Sequence, residues 1–166
     1  SEREEADIHL NQISYDLLIE NKYDLAIKVC EFATEVIKKF SSEQLRKFMI
    51  INKAIAHKMK DEEDNCNKVL SEEDWSIGNE FKLAKLVLED DLEKARDMMI
   101  RIGNQDDIIN KYAYKNWPLF KKFRQTEEFL SGYQTVFNEE FVLEEVQRKE
   151  MVDKAEKPEG SNGKNN

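Results

Sequence analysis

The chain has 166 residues, 35 of them acidic and 26 basic, which gives a formal net charge of −9. It contains only five glycines and two prolines, too few for the many tight turns of a barrel or sandwich, so we expect an all-α protein. The acidic balance argues against nucleic acid or an anionic membrane as the main partner, because like charges repel.

Apolar residues at helical spacing predict a series of short helices separated by polar turns. The predicted helices span residues 8–18, 25–40, 45–59, 66–70, 81–88, 92–102, 108–114 and 126–148. Ser41 is predicted to cap the third of these helices, with Gln44 completing a capping box. Gly103 is predicted to end the helix before it, because glycine readily adopts the backbone conformation that follows a helix.

The predicted helices form pairs that repeat along the chain. Ala26 and Ala95 both follow a predicted turn and lie 69 residues apart, which corresponds to two units of about 34 residues. Two helices of a hairpin approach closely only where a small side chain lies at their crossing, and an alanine soon after the turn meets that need. The intervening unit has Cys66 as its small residue, slightly out of step with the other two.

Two segments resemble a tetratricopeptide repeat, a helix–turn–helix unit of about 34 residues. Residues 8–40 match its helix and turn positions with Leu10, Ile13, Ser14, Leu17, Tyr23, Ala26 and Ala33. Residues 76–103 resemble a second copy, with Leu83, Leu86, Leu92 and Ala95. The resemblance implies a right-handed α-solenoid of about three units in a domain at 1–150, with capping helices at about 104–150. The end of the chain, from Pro158 to Asn166, has no apolar residue, so we expect a disordered polar tail at 151–166.

In such a solenoid the first helix of each pair lines a concave face, where a partner peptide or helix would lie. The resemblance places six residues on that face: Asn11, Tyr15, Leu18, Glu80, Ala84 and Val87. The acidic composition favours a basic or amphipathic partner segment. We therefore predict a non-catalytic protein–protein interaction or scaffold module that is part of a larger intracellular protein.

Aromatic residues are concentrated in the last third of the chain, where nine of the 16 lie between Tyr112 and Phe141. Phe129, Tyr133, Phe137 and Phe141 recur every four residues, which predicts an aromatic stripe along the last helix. Two interpretations stay open. The stripe covers the exposed face of the final repeat, or part of it forms a partner surface, including a homodimer through the C-terminal helix.

The sequence contains no recognisable arrangement of catalytic or metal-binding residues. His9 and His57 belong to no zinc motif, the two cysteines lack zinc-ligand spacing, and no glycine-rich phosphate loop occurs. We therefore expect no enzyme activity, no cofactor and no metal. No apolar run approaches the length of a membrane span, and the start lacks a signal-peptide core, so we expect a cytoplasmic protein.

Two other functions stay open from the sequence. One is a regulatory or sensor domain that controls an enzyme domain encoded upstream, as in bacterial stress or defence proteins, since the sequence has no initiator methionine. The other is a stand-alone helical enzyme or nucleic-acid binder, which would have to bind through a surface that the acidic composition does not suggest.

Overall fold

The computed structural model describes residues 2–143, with side chains from residue 5 onward, and it is all-helical within that range. Its α-helices are α1 Glu2–Ile19, α2 Tyr23–Val36, α3 Glu43–Met59, α4 Glu63–Ser71, α5 Asn79–Leu88, α6 Leu92–Ile102, α7 Lys111–Asn116 and α8 Glu127–Phe137. Two short 3₁₀ turns, Pro118–Phe120 and Phe123–Gln125, lie between α7 and α8. The predicted all-α fold is confirmed for these residues, and the polar tail predicted at 151–166 lies outside them.

The first three helix pairs reverse the chain in the same way. Asn21, Asp61 and Asp90 each adopt a left-handed backbone conformation, with φ between 57° and 60°. The amide that follows each of them donates to a carbonyl five residues earlier, at 2.8–3.0 Å: Lys22 to Leu17, Glu62 to His57 and Asp91 to Leu86. This pattern satisfies the last carbonyls of a helix, and asparagine and aspartate tolerate the left-handed region better than most residues.

The shared turn brings the three small residues into equivalent positions. Ala26, Cys66 and Ala95 each lie four residues after the amide that closes the turn, and each is at most 1% exposed. Because α2 and α3 are long whereas α4 and α5 are short, 40 residues separate the first two and 29 separate the last two. Cys66 therefore occupies the same position after its turn as the two alanines, although its spacing along the sequence departs from 34 residues.

Neighbouring helices pack against each other along the chain. Each of α1 to α3 contacts the next helix, and α5 contacts α6. In addition, α1 contacts α3, and α3 contacts α5, so the first helices of the three pairs lie side by side. One hydrophobic core runs through all three pairs, and its most buried members include Ile51, Ile55, Phe81, Leu83 and Met99.

Aromatic rings close this core at the C-terminal end, where α8 packs against α6. Tyr114 lies at the centre of the cluster, with ring centroids 5.0–6.2 Å from those of Phe120, Phe129, Tyr133 and Phe137. Rings at these separations and tilts make favourable edge contacts in addition to burying area. The described part of the aromatic segment therefore covers the last helix pair, as the first interpretation expects.

The last helix is shorter than predicted. It ends at Phe137, because Asn138 takes a left-handed conformation and turns the chain out of the helix. Phe141 is consequently not part of a helical stripe, although its ring returns to pack 4.9 Å from that of Phe129 and 5.0 Å from that of Tyr133. The remainder of the helix predicted to reach residue 148 lies outside the described range.

The cap predicted for α3 is wrong by one residue. Ser42 caps the helix, with its hydroxyl oxygen accepting from the amide of Leu45 at 3.0 Å. Ser41 instead donates its amide and its hydroxyl to the buried carboxylate of Asp7, at 2.6 and 2.9 Å. Burial alone would raise the pKa of Asp7, but these two bonds and the bond from the Ile8 amide lower it below its usual value. Ser42 thus caps α3, and Ser41 links the start of that helix to α1 through hydrogen bonds.

Two other boundaries also differ from the prediction. α2 ends at Val36 rather than at residue 40. α7 begins at Lys111, three residues later than predicted, because the Asp106 carboxylate accepts from the amides of Ile108 and Ile109 and keeps that stretch in a turn. In both places a short non-helical connection replaces helix that the apolar pattern alone would allow.

Candidate partner-binding groove

An open groove of about 390 Å³ lies on the row of first helices, between α1, α3 and the segment around α7. The described residues that line it are uncharged. Amide side chains come from Asn11, Gln12 and Asn52, and aromatic rings come from Tyr15, Phe48, Tyr112 and Trp117. Such a surface offers hydrogen-bond donors and acceptors beside apolar contact area, which is the combination that holds a peptide.

The floor of the groove is a buried amide that joins α1 to α3. Asn52 is 3% exposed and donates through Nδ2 to Ser14 Oγ at 3.1 Å and to Asn11 Oδ1 at 3.3 Å. Because the Ser14 hydroxyl already donates to the Asn11 carbonyl at 2.7 Å, it must accept from Asn52, and this determines which way the amide points. Asn52 Oδ1 has no hydrogen-bond partner among the described residues. An unpaired buried acceptor costs about 1–3 kcal/mol, so this floor is not the most stable arrangement that the two helices could make.

The aromatic side of the groove is supported by residues that pack against its buried face. Phe48 packs its ring 4.8 Å from that of Phe81 on α5 and 5.8 Å from that of Trp117. Arg124 donates through Nε to the Tyr114 carbonyl at 2.6 Å and through Nη2 to the Trp117 carbonyl at 2.7 Å, which fixes the segment that carries the indole. Burial lowers the pKa of Arg124 to about 10, so the guanidinium stays charged at neutral pH.

Two tyrosines form the rim of the groove. Tyr15 is half-buried on α1, and burial, together with the nearby Tyr112, raises the pKa of its hydroxyl. This hydroxyl therefore stays protonated at neutral pH and can both donate and accept. Tyr112 is 72% exposed on α7, which makes it the most accessible of the large rings in the groove.

The structure brings two of the six predicted partner-binding residues into the groove. Asn11 and Tyr15 line it, as expected for the first helix of the first pair. Glu80 lies near the start of α5, outside the lining, where its carboxylate accepts from the side chain of Gln44 at 3.2 Å. A role for Glu80 would therefore be at the edge of a longer partner rather than within the groove.

The other three predicted residues belong to the core. Leu18, Ala84 and Val87 are 2%, 0% and 6% exposed. The turn Pro118–Phe120 packs against α3 and α5, and only a cavity of about 100 Å³ remains beside Val87 and this turn. A partner in the groove would not contact these three side chains, and we withdraw them from the predicted binding surface.

Sequence reasoning did not identify Gln12, Asn52, Tyr112 or Trp117 as groove residues. A signal was present for Asn52, which is a neutral amide in an otherwise apolar stretch of α3. No local pattern connects the two aromatic residues with α1, because only the folding of the C-terminal segment onto the first helices brings them together.

The two cysteines do not line the groove. Both are free and buried, and burial raises the pKa of Cys30 to about 12 and that of Cys66 to about 11. They are therefore thiols at neutral pH, the weakly nucleophilic form. Over residues 2–143, no group of three or more His, Cys, Asp or Glu side chains is arranged to hold a metal ion.

No protein-family model, curated protein sequence or solved structure matches the chain. Among the helices of the described range, none has the length and apolarity that crossing a bilayer requires.

Proposed function

We propose that the chain is a non-catalytic protein–protein interaction module that binds a peptide segment of a partner in the groove between α1, α3 and α7. The observation that carries this proposal is an uncharged lining of amides and aromatic rings on the row of first helices. The equivalent turns at Asn21, Asp61 and Asp90 support a tetratricopeptide-like solenoid, a class of fold that offers extended concave surfaces to its partners.

The chemistry of the lining favours a partner segment in an extended conformation. Side-chain amides such as those of Asn11 and Gln12 can pair with the backbone N–H and C=O groups of a peptide, whatever its sequence. The exposed ring of Tyr112, beside the small accessible part of the largely buried Trp117, would hold one large apolar side chain of that peptide. The net charge of −9 adds a preference for basic residues on either side of it.

Peptide selection against the full chain tests this proposal. Peptides enriched from a random display library are expected to contain one aromatic or large aliphatic residue next to Lys or Arg. Their binding is measured through the fluorescence of Trp117 in the Trp75→Phe variant. The melting curve of that variant is recorded first, to check that the fold is kept. Trp75 lies in the core rather than in the groove, so removing its emission leaves the reporter where the peptide binds.

Groove variants and a matched control decide the location of binding. Tyr112→Ala and Gln12→Ala change exposed side chains of the lining, so each is expected to weaken binding about tenfold while leaving the fold intact. Leu130→Ala removes an exposed apolar side chain from α8 and should leave binding unchanged. Peptides that bind the groove variants as tightly as the unmodified chain, or a library that yields none, would contradict the proposal.

A further inference from the structure

The first hairpin carries an apolar face that the described part of the chain covers only in part, since Leu10 and Leu17 pack against the hydrophobic core while their neighbours stay exposed. This N-terminal hairpin face consists of two rows: Ala6, Leu10, Ile13 and Leu17 on α1, and Leu25, Val29, Phe32 and Val36 on α2. The most accessible large side chains of this face are 45–58% exposed and belong to Ile13, Leu25, Phe32 and Val36. Since a helix turns about 100° per residue, the four residues of each row lie within an arc of about 60° around their helix axis.

The face points away from the rest of the molecule. On α2 the buried residues Ala26, Ile27, Cys30 and Ala33 lie about 70–170° around the helix from the centre of the exposed row. The ion pair between Glu31 and Lys53, at 3.3 Å, also lies on the α3 side. A contiguous apolar surface across two helices is unusual on a monomer and marks a site of association.

The intervals between the residues of each row are the same whether the row is followed from its first residue or from its last. On α1 and on α2 the intervals between successive members are four, three and four residues. An antiparallel copy of either helix therefore presents the same row, so that Leu25 would lie opposite the partner subunit's Val36 and Val29 opposite the partner subunit's Phe32. Self-complementarity of this kind is what a twofold interface requires.

One twofold axis can satisfy both rows at once. The midpoint of the α1 row and the midpoint of the α2 row each lie nine and a half residues from Asn21, the turn residue between the helices. Because both helices rise by the same length per residue, the two midpoints are at the same height in the hairpin. An axis in the plane of the contact, perpendicular to the helices, therefore places α1 on α1 and α2 on α2.

Charges along the outer edge of α2 complement each other in this arrangement. Lys28 and Glu35 are exposed and lie about 70–90° from the centre of the apolar row, on the side away from the buried residues. With the row midpoints aligned, Lys28 is displaced by only about 3 Å along the helix from the partner subunit's Glu35. The twofold axis repeats the pair, so each contact has two such ion pairs.

Other polar side chains on the outer edges have the same spacing. His9 and Asp16 on α1 are related as Lys28 and Glu35 are on α2, and both are exposed. Asp24, a further carboxylate on the edge of α2, is bound by Lys60 at 2.6 Å, which offsets its repulsion of another carboxylate.

We propose that the N-terminal hairpin face is a homodimer interface in which two copies of this chain pack antiparallel about a twofold axis. Two helices side by side, each about 10 Å wide and about 20–27 Å long, give a footprint of several hundred Å² per copy, which suits a weak to moderate dimer. The groove lies on the opposite side of α1, so the dimer would present two grooves and bind a divalent partner more tightly than a monomer does.

Sedimentation velocity of the full chain from micromolar to millimolar concentration tests the interface. The unmodified chain is expected to pass from monomer to dimer, and Phe32→Glu should stay monomeric throughout with an unchanged circular dichroism spectrum. Leu130→Glu is the matched control, since it places the same charge on the exposed surface of α8 and should leave the dimer intact. A chain that is monomeric at all concentrations, or a dimer lost in Leu130→Glu and kept in Phe32→Glu, would overturn the proposal.

Charge reversal distinguishes this dimer from any other use of the face. Lys28→Glu and Glu35→Lys each turn two attractive pairs into two repulsive ones, so each should weaken self-association about tenfold. An equimolar mixture of the two variants restores both pairs in a heterodimer and is expected to associate at least as tightly as the unmodified chain. A mixture that stays as weakly associated as its components would refute the antiparallel arrangement.

Discussion

The crossing of α6 and α8 gives the sharpest test of the packing. A Cβ atom added to Gly132 would lie 3.1 Å from Met99 Sδ and 3.1 Å from Arg96 Cγ, closer than ordinary van der Waals contact. Arg96 is partly exposed and can shift, but Met99 is fully buried in a close-packed core. We expect overpacking in Gly132→Ala to cost about 2 kcal/mol, against a gain of about 1 kcal/mol from the better helix propensity of alanine. The net loss of about 1 kcal/mol should lower the melting temperature by about 2–4 °C.

Urea and thermal unfolding, followed by circular dichroism, measure this difference. Ser131→Ala is the matched control, because Ser131 is the exposed neighbour on the same helix and its substitution changes mainly the propensity. That control should raise the free energy of unfolding by about 0.5 kcal/mol. If Gly132→Ala proves as stable as Ser131→Ala, the two helices do not approach closely at Gly132 and the explanation given for this glycine is refuted.

Three further predictions concern buried side chains. Ala26→Leu should lower the free energy of unfolding by about 1–3 kcal/mol through overpacking at the hairpin crossing, whereas the exposed Thr34→Leu should change it by less than about 0.5 kcal/mol in the same urea titration. Tyr114→Phe removes a buried hydroxyl that has no partner among the described residues, so unfolding should cost about 1 kcal/mol more; a decrease would reveal a partner for that hydroxyl. Asp7→Asn breaks the tie to Ser41 and should destabilise the fold at neutral pH by about 1 kcal/mol. Because the folded-state pKa of Asp7 is lowered, its stabilisation is present above about pH 4 and is lost as the pH falls through the folded pKa, so acid titration should reduce the difference between the variant and the unmodified chain.

The positions of most helices could be predicted from the sequence, because helical periodicity and polar turns are local properties. The turn at residues 20–22, the pairing of helices and the burial of Ala26 and Ala95 all follow from residues near one another in the chain. One error came where a distant group competed with a local one. Ser41 carries the local signal of a cap, but the Asp7 carboxylate, 34 residues earlier, takes both of its donors and leaves the cap to Ser42.

Only part of the candidate groove could be predicted from the sequence, for a related reason. The register of α1 placed Asn11 and Tyr15 on an open surface, but it placed the buried Leu18 there as well. The same reasoning failed for Ala84 and Val87, because nothing in α5 indicates that the turn Pro118–Phe120 will pack beside them. Their exposure depended on a contact between segments that are far apart in the sequence.

By itself, then, the sequence determined which stretches are helical, where they turn and which small residues allow two helices to meet. The tertiary structure decided which part of the row of first helices is left open, because that depends on where the C-terminal aromatic segment packs. Periodicity acts over a few residues, and the physical forces behind it are satisfied within one helix or one hairpin. Which segment covers the row of first helices depends instead on how much apolar area distant parts of the chain bury against each other. No local pattern encodes that.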